Sequence, residues 1–115
     1  MRAAAPGIRN LPDDQVRAIA ATGGLVGIGF WPVASGGEDV GAIARSIVTA
    51  IGLAGVEHVG LGSDFDGFVP TPFDATGMPL LTEALLAEGL SEPDIAAVMG
   101  GNAVRVLTGG LPAGA

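Results

Sequence analysis

Asp64 and Asp66 stand two residues apart in His-Val-Gly-Leu-Gly-Ser-Asp-Phe-Asp-Gly, residues 58–67. They follow a short apolar run. Paired carboxylates at the exit of a strand have three common uses. They hold a cation, they move protons or stabilise charge in a reaction, or they cap the backbone of a turn. A calcium loop needs an oxygen ligand at its fifth position and Gly at its sixth. Counted from Asp64, those positions hold Phe68 and Val69, so that reading fails. The other two stay open for Asp64. A carboxylate at the carboxyl end of a parallel strand lies where α/β folds place their chemistry. The same residue could equally cap local N–H groups. Asp66, directly before Gly67, reads as a turn former.

The remaining polar residues are sparse. His58 is the only histidine and Cys is absent. This excludes disulfides, thiolate metal sites and a cysteine nucleophile, and it leaves His58 without companions for a zinc site. His58 therefore reads as structural. Arg9 lies in a loop beside Asn10. Phe30 and Trp31, after an apolar run, read as packing residues, with Trp31 also suited to a pocket rim. Gly-Leu-Gly-Ser-Asp-Phe lacks the third glycine of a dinucleotide fingerprint, and no Walker sequence occurs.

The elements that must position these residues follow from periodicity. Leu11-Pro12-Asp13-Asp14 opens a helix, with Val16, Ile19 and Ala20 on its apolar face and Gly23-Gly24 at its end. Residues 24–32 read as a Gly-rich strand buried on both faces, stopped by Pro32. Residues 33–39 read as a loop. From Asp39, Val40, Ile43, Ala44, Ile47, Val48 and Ile51 keep a helical period, closed by Gly52 and Gly55. Residues 56–62 give a second buried strand. Strand, helix, strand is one unit joining parallel strands. A Pro- and Gly-rich loop follows. Leu80–Ala87 reads as a helix with Leu81, Leu85 and Leu86 inward. Ser91 caps the next helix, Gly100-Gly101 breaks it, and Asn102 caps a short last helix through Leu107. Gly110–Ala115 reads as a frayed tail.

The bulk composition bounds the rest. The chain has 115 residues, 49% hydrophobic and only 15% charged, with a net charge of −7 and five Arg as its only basic residues besides His58. With no Lys and no basic cluster, nucleic acid and anionic membranes are excluded as partners. The amino-terminal stretch lacks the apolar core of a signal peptide, and no run approaches the roughly 18 apolar residues of a spanning helix. A cytoplasmic chain is expected. Two parallel strands form no stable open sheet and close no barrel, so they demand neighbours. The apolar excess points the same way, towards an incomplete domain covered by missing sequence or by a partner subunit, a homodimer included.

Taken in order, Arg9-Asn10-Leu11-Pro12-Asp13-Asp14, Gly-Gly-Leu-Val-Gly-Ile-Gly-Phe at 23–30, residues 58–67 and Gly-Gly-Asn-Ala-Val-Arg-Val-Leu at 100–107 resemble the C-terminal part of the membrane (renal) dipeptidase family of zinc peptidases. The resemblance covers nearly the whole chain. It implies residues 1–115 as the C-terminal part of a single (β/α)8 TIM-type barrel, α/β in class, its two parallel strands being the last two. It implies hydrolysis of dipeptides at a centre of two zinc ions. Asp64 matches the aspartate beside the metals that handles the substrate amine or leaving nitrogen, and Arg9 the arginine that contacts substrate carboxylate or oxyanion. The family's zinc ligands lie on earlier strands and would precede Met1. The chain alone is therefore expected to lack the metal centre and to be inactive. Two alternatives remain: a non-catalytic structural or partner-binding remnant of the fold, and another barrel metallohydrolase sharing only the Ser-Asp-Phe-Asp-Gly turn.

Overall fold

The computed structural model describes residues 1–114. Two short parallel strands form its sheet, β1 (Val26–Gly29) and β2 (Val59–Gly62). Their register pairs Val26 with Val59 and Gly29 with Gly62. The α/β class expected from the sequence, two parallel strands with flanking helices, holds.

The first helix, α1 (Asp13–Ala21), begins directly after Pro12, with Asp13 and Asp14 in its first turn. Proline costs nothing there because its missing N–H would be unpaired anyway. Val16 is completely buried. Pro32 does more than stop β1. It opens a one-turn helix, α2 (Pro32–Ser35), inside the stretch expected to be a loop. The residue's fixed φ is pre-set for a first helical turn, and Gly36 at φ 87° closes that turn.

The crossover helix α3 (Val40–Ala54) starts at Asp39, whose Oδ1 accepts the N–H of Ala42 at 2.8 Å. Its Ile43, Ala44, Ile47 and Ala50 are buried against β1, β2 and the helix α4 (Met78–Ala87). Residues 56–58 form a 3-10 turn rather than the start of the strand, so β2 is shorter than its apolar run. The expectation of burial on both faces fails at one position. Val26, Ile28 and Val59 are buried on one face and Gly29 and Gly60 on the other, whereas Gly27, beside them, is exposed. Glycines give that second face no side chain of its own, and Trp31 and Leu25 lie over Gly29 and Gly60.

Leu81 and Leu85 of α4 are buried, but Leu86 is 49% exposed, contrary to the inward position expected for it. The helix meets only α3 and its neighbours on one side, and Leu86 turns about 100° away from Leu85. Ser91 caps α5 (Glu92–Ala96) as expected, its Oγ accepting from Asp94 N–H at 3.3 Å. Gly100-Gly101 breaks the helix as expected: after a wide turn at residues 97–101 the backbone leaves the helical region at Gly100 (φ 167°, ψ −27°), and the chain kinks there before α6 (Asn102–Gly110). The tail thus cedes Gly110 to α6, and Ala115 lies outside the described residues.

Asn102, by contrast, is not a helix cap. It is buried, and its Nδ2 donates to the carbonyls of Val56 at 2.6 Å and Val59 at 2.8 Å. It ties the start of α6 to the entry of β2. His58 does a similar job, with Nδ1 2.9 Å from the carbonyl of Gly24.

Candidate functional site

The chain leaves β2 through an unusual turn. Asp64, Asp66 and Phe68 all have φ near +60°, at 56°, 61° and 62°. This left-handed region is tolerated by Asp and costly for Phe. Three such residues alternating in one turn mark a backbone held by its surroundings. The turn is closed by the main chain, with Gly67 N–H donating to the carbonyl of Asp64 at 2.9 Å.

With the turn closed by the main chain, the Asp64 side chain is not needed to close it. Its carboxylate caps nothing: among the described residues it accepts no hydrogen bond and joins no ion pair. It folds over Gly67, where any Cβ would collide with it. Gly67 is required to admit the carboxylate. Asp64 is exposed and lies two residues beyond the carboxyl end of β2.

Arg9 is set by different means. Asn10, next to it, donates through Nδ2 to the carbonyls of Ala5 at 2.7 Å and Val33 at 2.8 Å. This clamps the loop onto α2. Arg9 then lines a cavity of about 180 Å³ with β1 and Trp31. Trp31 lies back over Gly29, where a Cβ would strike the indole. The guanidinium forms no hydrogen bond or ion pair among the described residues. Arg9 and Asp64 thus stand beside the two paired strands, each with an unspent charge, and no contact joins them.

Three phenylalanines missed as a group by sequence reasoning hold the long loop. Phe30, fully buried at the end of β1, meets Phe65 edge-on at 5.6 Å between centroids and Phe73 at 5.5 Å. Phe65 and Phe73 are 6.2 Å apart. Their only sequence signal was the crowding of Phe around the Pro-rich loop. Beside them opens a cleft of about 950 Å³.

A metal does not fit these residues by themselves. Among the described residues no three His, Cys, Asp or Glu side chains converge. His58 has one ring nitrogen engaged by Gly24, and its other is 3.6 Å from Glu57.

A parallel β-α-β unit with an unpartnered carboxylate beyond a strand's carboxyl end marks the chain as part of an α/β protein of the kind that places its chemistry at that end. The sequence identifies which: the membrane dipeptidase family, peptidase family M19, matches over residues 1–109, and the chain belongs to that family. It is 38% identical over 110 residues to dipeptidase aclJ of Aspergillus oryzae, covering 89% of this chain and 26% of that protein. A crystal structure of a metallopeptidase from Rhodobacter sphaeroides, liganded with a phosphinate mimic of the dipeptide L-Ala-D-Ala, superposes with a TM-score of 0.81 at 33% identity. That match covers 93% of this chain and 33% of the other. Dipeptidase AC, a metallopeptidase of the same family, matches at a TM-score of 0.80, with 33% identity, 92% coverage of this chain and 34% of its own. The chain spans about a quarter to a third of the length of these relatives.

Proposed function

We propose that this chain is the C-terminal part of a dizinc dipeptidase barrel and carries the substrate side of its active site. The observation that supports this most is the family match across residues 1–109, with the two free charges, Asp64 and Arg9, on the motifs that the resemblance marks. In this reading β1 and β2 are the last two barrel strands. Their glycine face turns to the barrel interior, and the earlier strands or a partner subunit cover the sheet edges. The zinc ligands lie outside residues 1–115, and the isolated chain is inactive. A homodimer and a cytoplasmic setting go with this reading; among the described residues no helix is long and apolar enough to cross a membrane.

The roles follow from chemistry. An arginine fork pairs bidentately with a carboxylate, and a free carboxylate one residue from the scissile bond is what distinguishes a dipeptide from longer peptides. Arg9, clamped by Asn10 and otherwise unpaired, can offer that fork. Asp64 is an acceptor free to bind a substrate ammonium or to hold the proton bound for the departing amine.

The test is hydrolysis by the complete protein of dipeptides against the matching tripeptides and dipeptide amides. Cleavage of the dipeptides alone is expected, and Arg9→Ala should erase the discrimination against amides. Cleavage of none of them overturns the dipeptidase reading. Equal cleavage of acids and amides by the wild type overturns the role of Arg9.

A further inference from the structure

The cleft beside the Asp64 turn has no part in the reading above. Phe65, Phe68 and Phe73 give it an aromatic wall, and Asp66 and Asp74 place two carboxylates on it. No Arg or His lines it. Its lining begins at Phe65, directly after Asp64, at the same strand exit. Phe68 is fully exposed in a left-handed conformation that a large residue adopts only at a cost. A hydrophobic ring kept in water in a strained backbone is accounted for if it meets a ligand.

We propose that this cleft is the side-chain subsite of the dipeptide, selective for a long cationic side chain, lysyl or arginyl, whose methylenes lie on the phenylalanines and whose head reaches Asp66 and Asp74. The inference rests on the dipeptidase reading for the identity of the ligand. The pairing is chemical. Aromatic faces attract cations, alkyl stems cover apolar surface, and two carboxylates without a compensating base repel anionic side chains. Asp74 is preset for the role: its Oδ1 accepts from the Thr76 hydroxyl at 2.6 Å and from the Thr76 N–H at 2.9 Å. Those bonds, the hydroxyl first, hold its carboxyl below the usual range, so it stays ionised. Asp66 has no such partner among the described residues and is free to meet the ligand.

The complete protein is assayed with Arg-Ala, Ala-Arg, Met-Ala, Ala-Met, Glu-Ala and Ala-Glu. Turnover is followed as kcat/KM, and binding to the metal-depleted protein is followed by calorimetry. Each carboxylate–cation pair at an exposed site is worth up to about fivefold, so the wild type should favour the cationic over the anionic member by about tenfold at one position. Asp66→Asn keeps a residue suited to positive φ and should lower that ratio about two- to fivefold. Asp66→Lys should bring it below one. Raising the salt should shrink the ratio in the wild type. A wild-type ratio near one, or a ratio untouched in both variants, overturns the subsite. Charge-selective binding without turnover upholds the subsite and overturns the dipeptidase reading. Turnover without charge selection does the reverse, and neither turnover nor binding overturns both.

Discussion

At Asp64 a backbone hydrogen bond, and not the side chain, closes the turn. Had the carboxylate capped the turn, its charge would be spent. Instead the main chain closes the turn and the carboxylate lies free over Gly67. Gly67→Ala is therefore an informative variant. The new Cβ meets the far end of a flexible side chain, so the fold should survive with a loss of less than about 1 kcal/mol. The carboxylate must rotate, and turnover by the complete protein should fall at least tenfold, read by kinetics alongside a thermal melt. Unchanged turnover would mean that the position of Asp64 over Gly67 is immaterial. Asp74 gives a second check. Its folded-state pKa is depressed, so its contribution to stability is present above the ordinary carboxylate range and is lost as pH falls through the folded value. Thr76→Val removes the larger cause, and an NMR titration should show the Asp74 midpoint move up. The sequence reveals the type and place of Asp64, but not the free carboxylate, because φ near +60° at every second residue from 64 to 68 has no pattern in residue types.

At the scale of elements, helices were legible wherever period and cap agreed. Asp39 before an isoleucine-rich period, and Ser91 before Glu92-Pro93-Asp94, both start helices as their chemistry requires. What local pattern did not disclose was long-range pairing. Asn102 reads as a cap from its neighbours, yet its amide is committed to carbonyls more than forty positions away. Gly100-Gly101 reads as a break and is one, but the packing of the 97–101 turn and of α6 on β2 has no local signal. Asn102→Ala should cost about 1–3 kcal/mol, since it leaves buried carbonyls short of a donor, and should lower the melting temperature of the complete protein. Leu85→Ala, at a fully buried position, should cost about 2–5 kcal/mol. Leu86→Ala, half exposed, should cost well under half of that, and an equal loss would show that α4 is covered on its other face as well.

The whole molecule shows unfinished surfaces. β1 and β2 each have an unpaired edge, Gly27 lies open, and Val104, Leu107 and Leu111 are 64%, 66% and 52% exposed. Val104 and Leu107 lie one turn apart on α6 and so are neighbours on its surface, and Leu111 follows just past the helix end. The apolar excess was visible in composition. Which residues carry it was not, because the same side chains would satisfy a helical period whether or not a neighbour covers them. If the rest of a barrel covers these surfaces, the isolated chain should self-associate or melt without cooperativity, as read by light scattering and calorimetry. A monodisperse, cooperatively melting monomer would instead favour a self-sufficient, non-catalytic module.

The central claim is that Asp64 acts on the substrate and not on the metals. The most direct measurement compares wild type and Asp64→Asn in the complete protein, with dipeptide turnover and bound zinc determined on the same samples. Asparagine tolerates the left-handed turn, so the fold is kept. The account predicts turnover lowered at least a hundredfold with the zinc content unchanged. Full turnover in the variant, or a loss that tracks the loss of zinc, would contradict it.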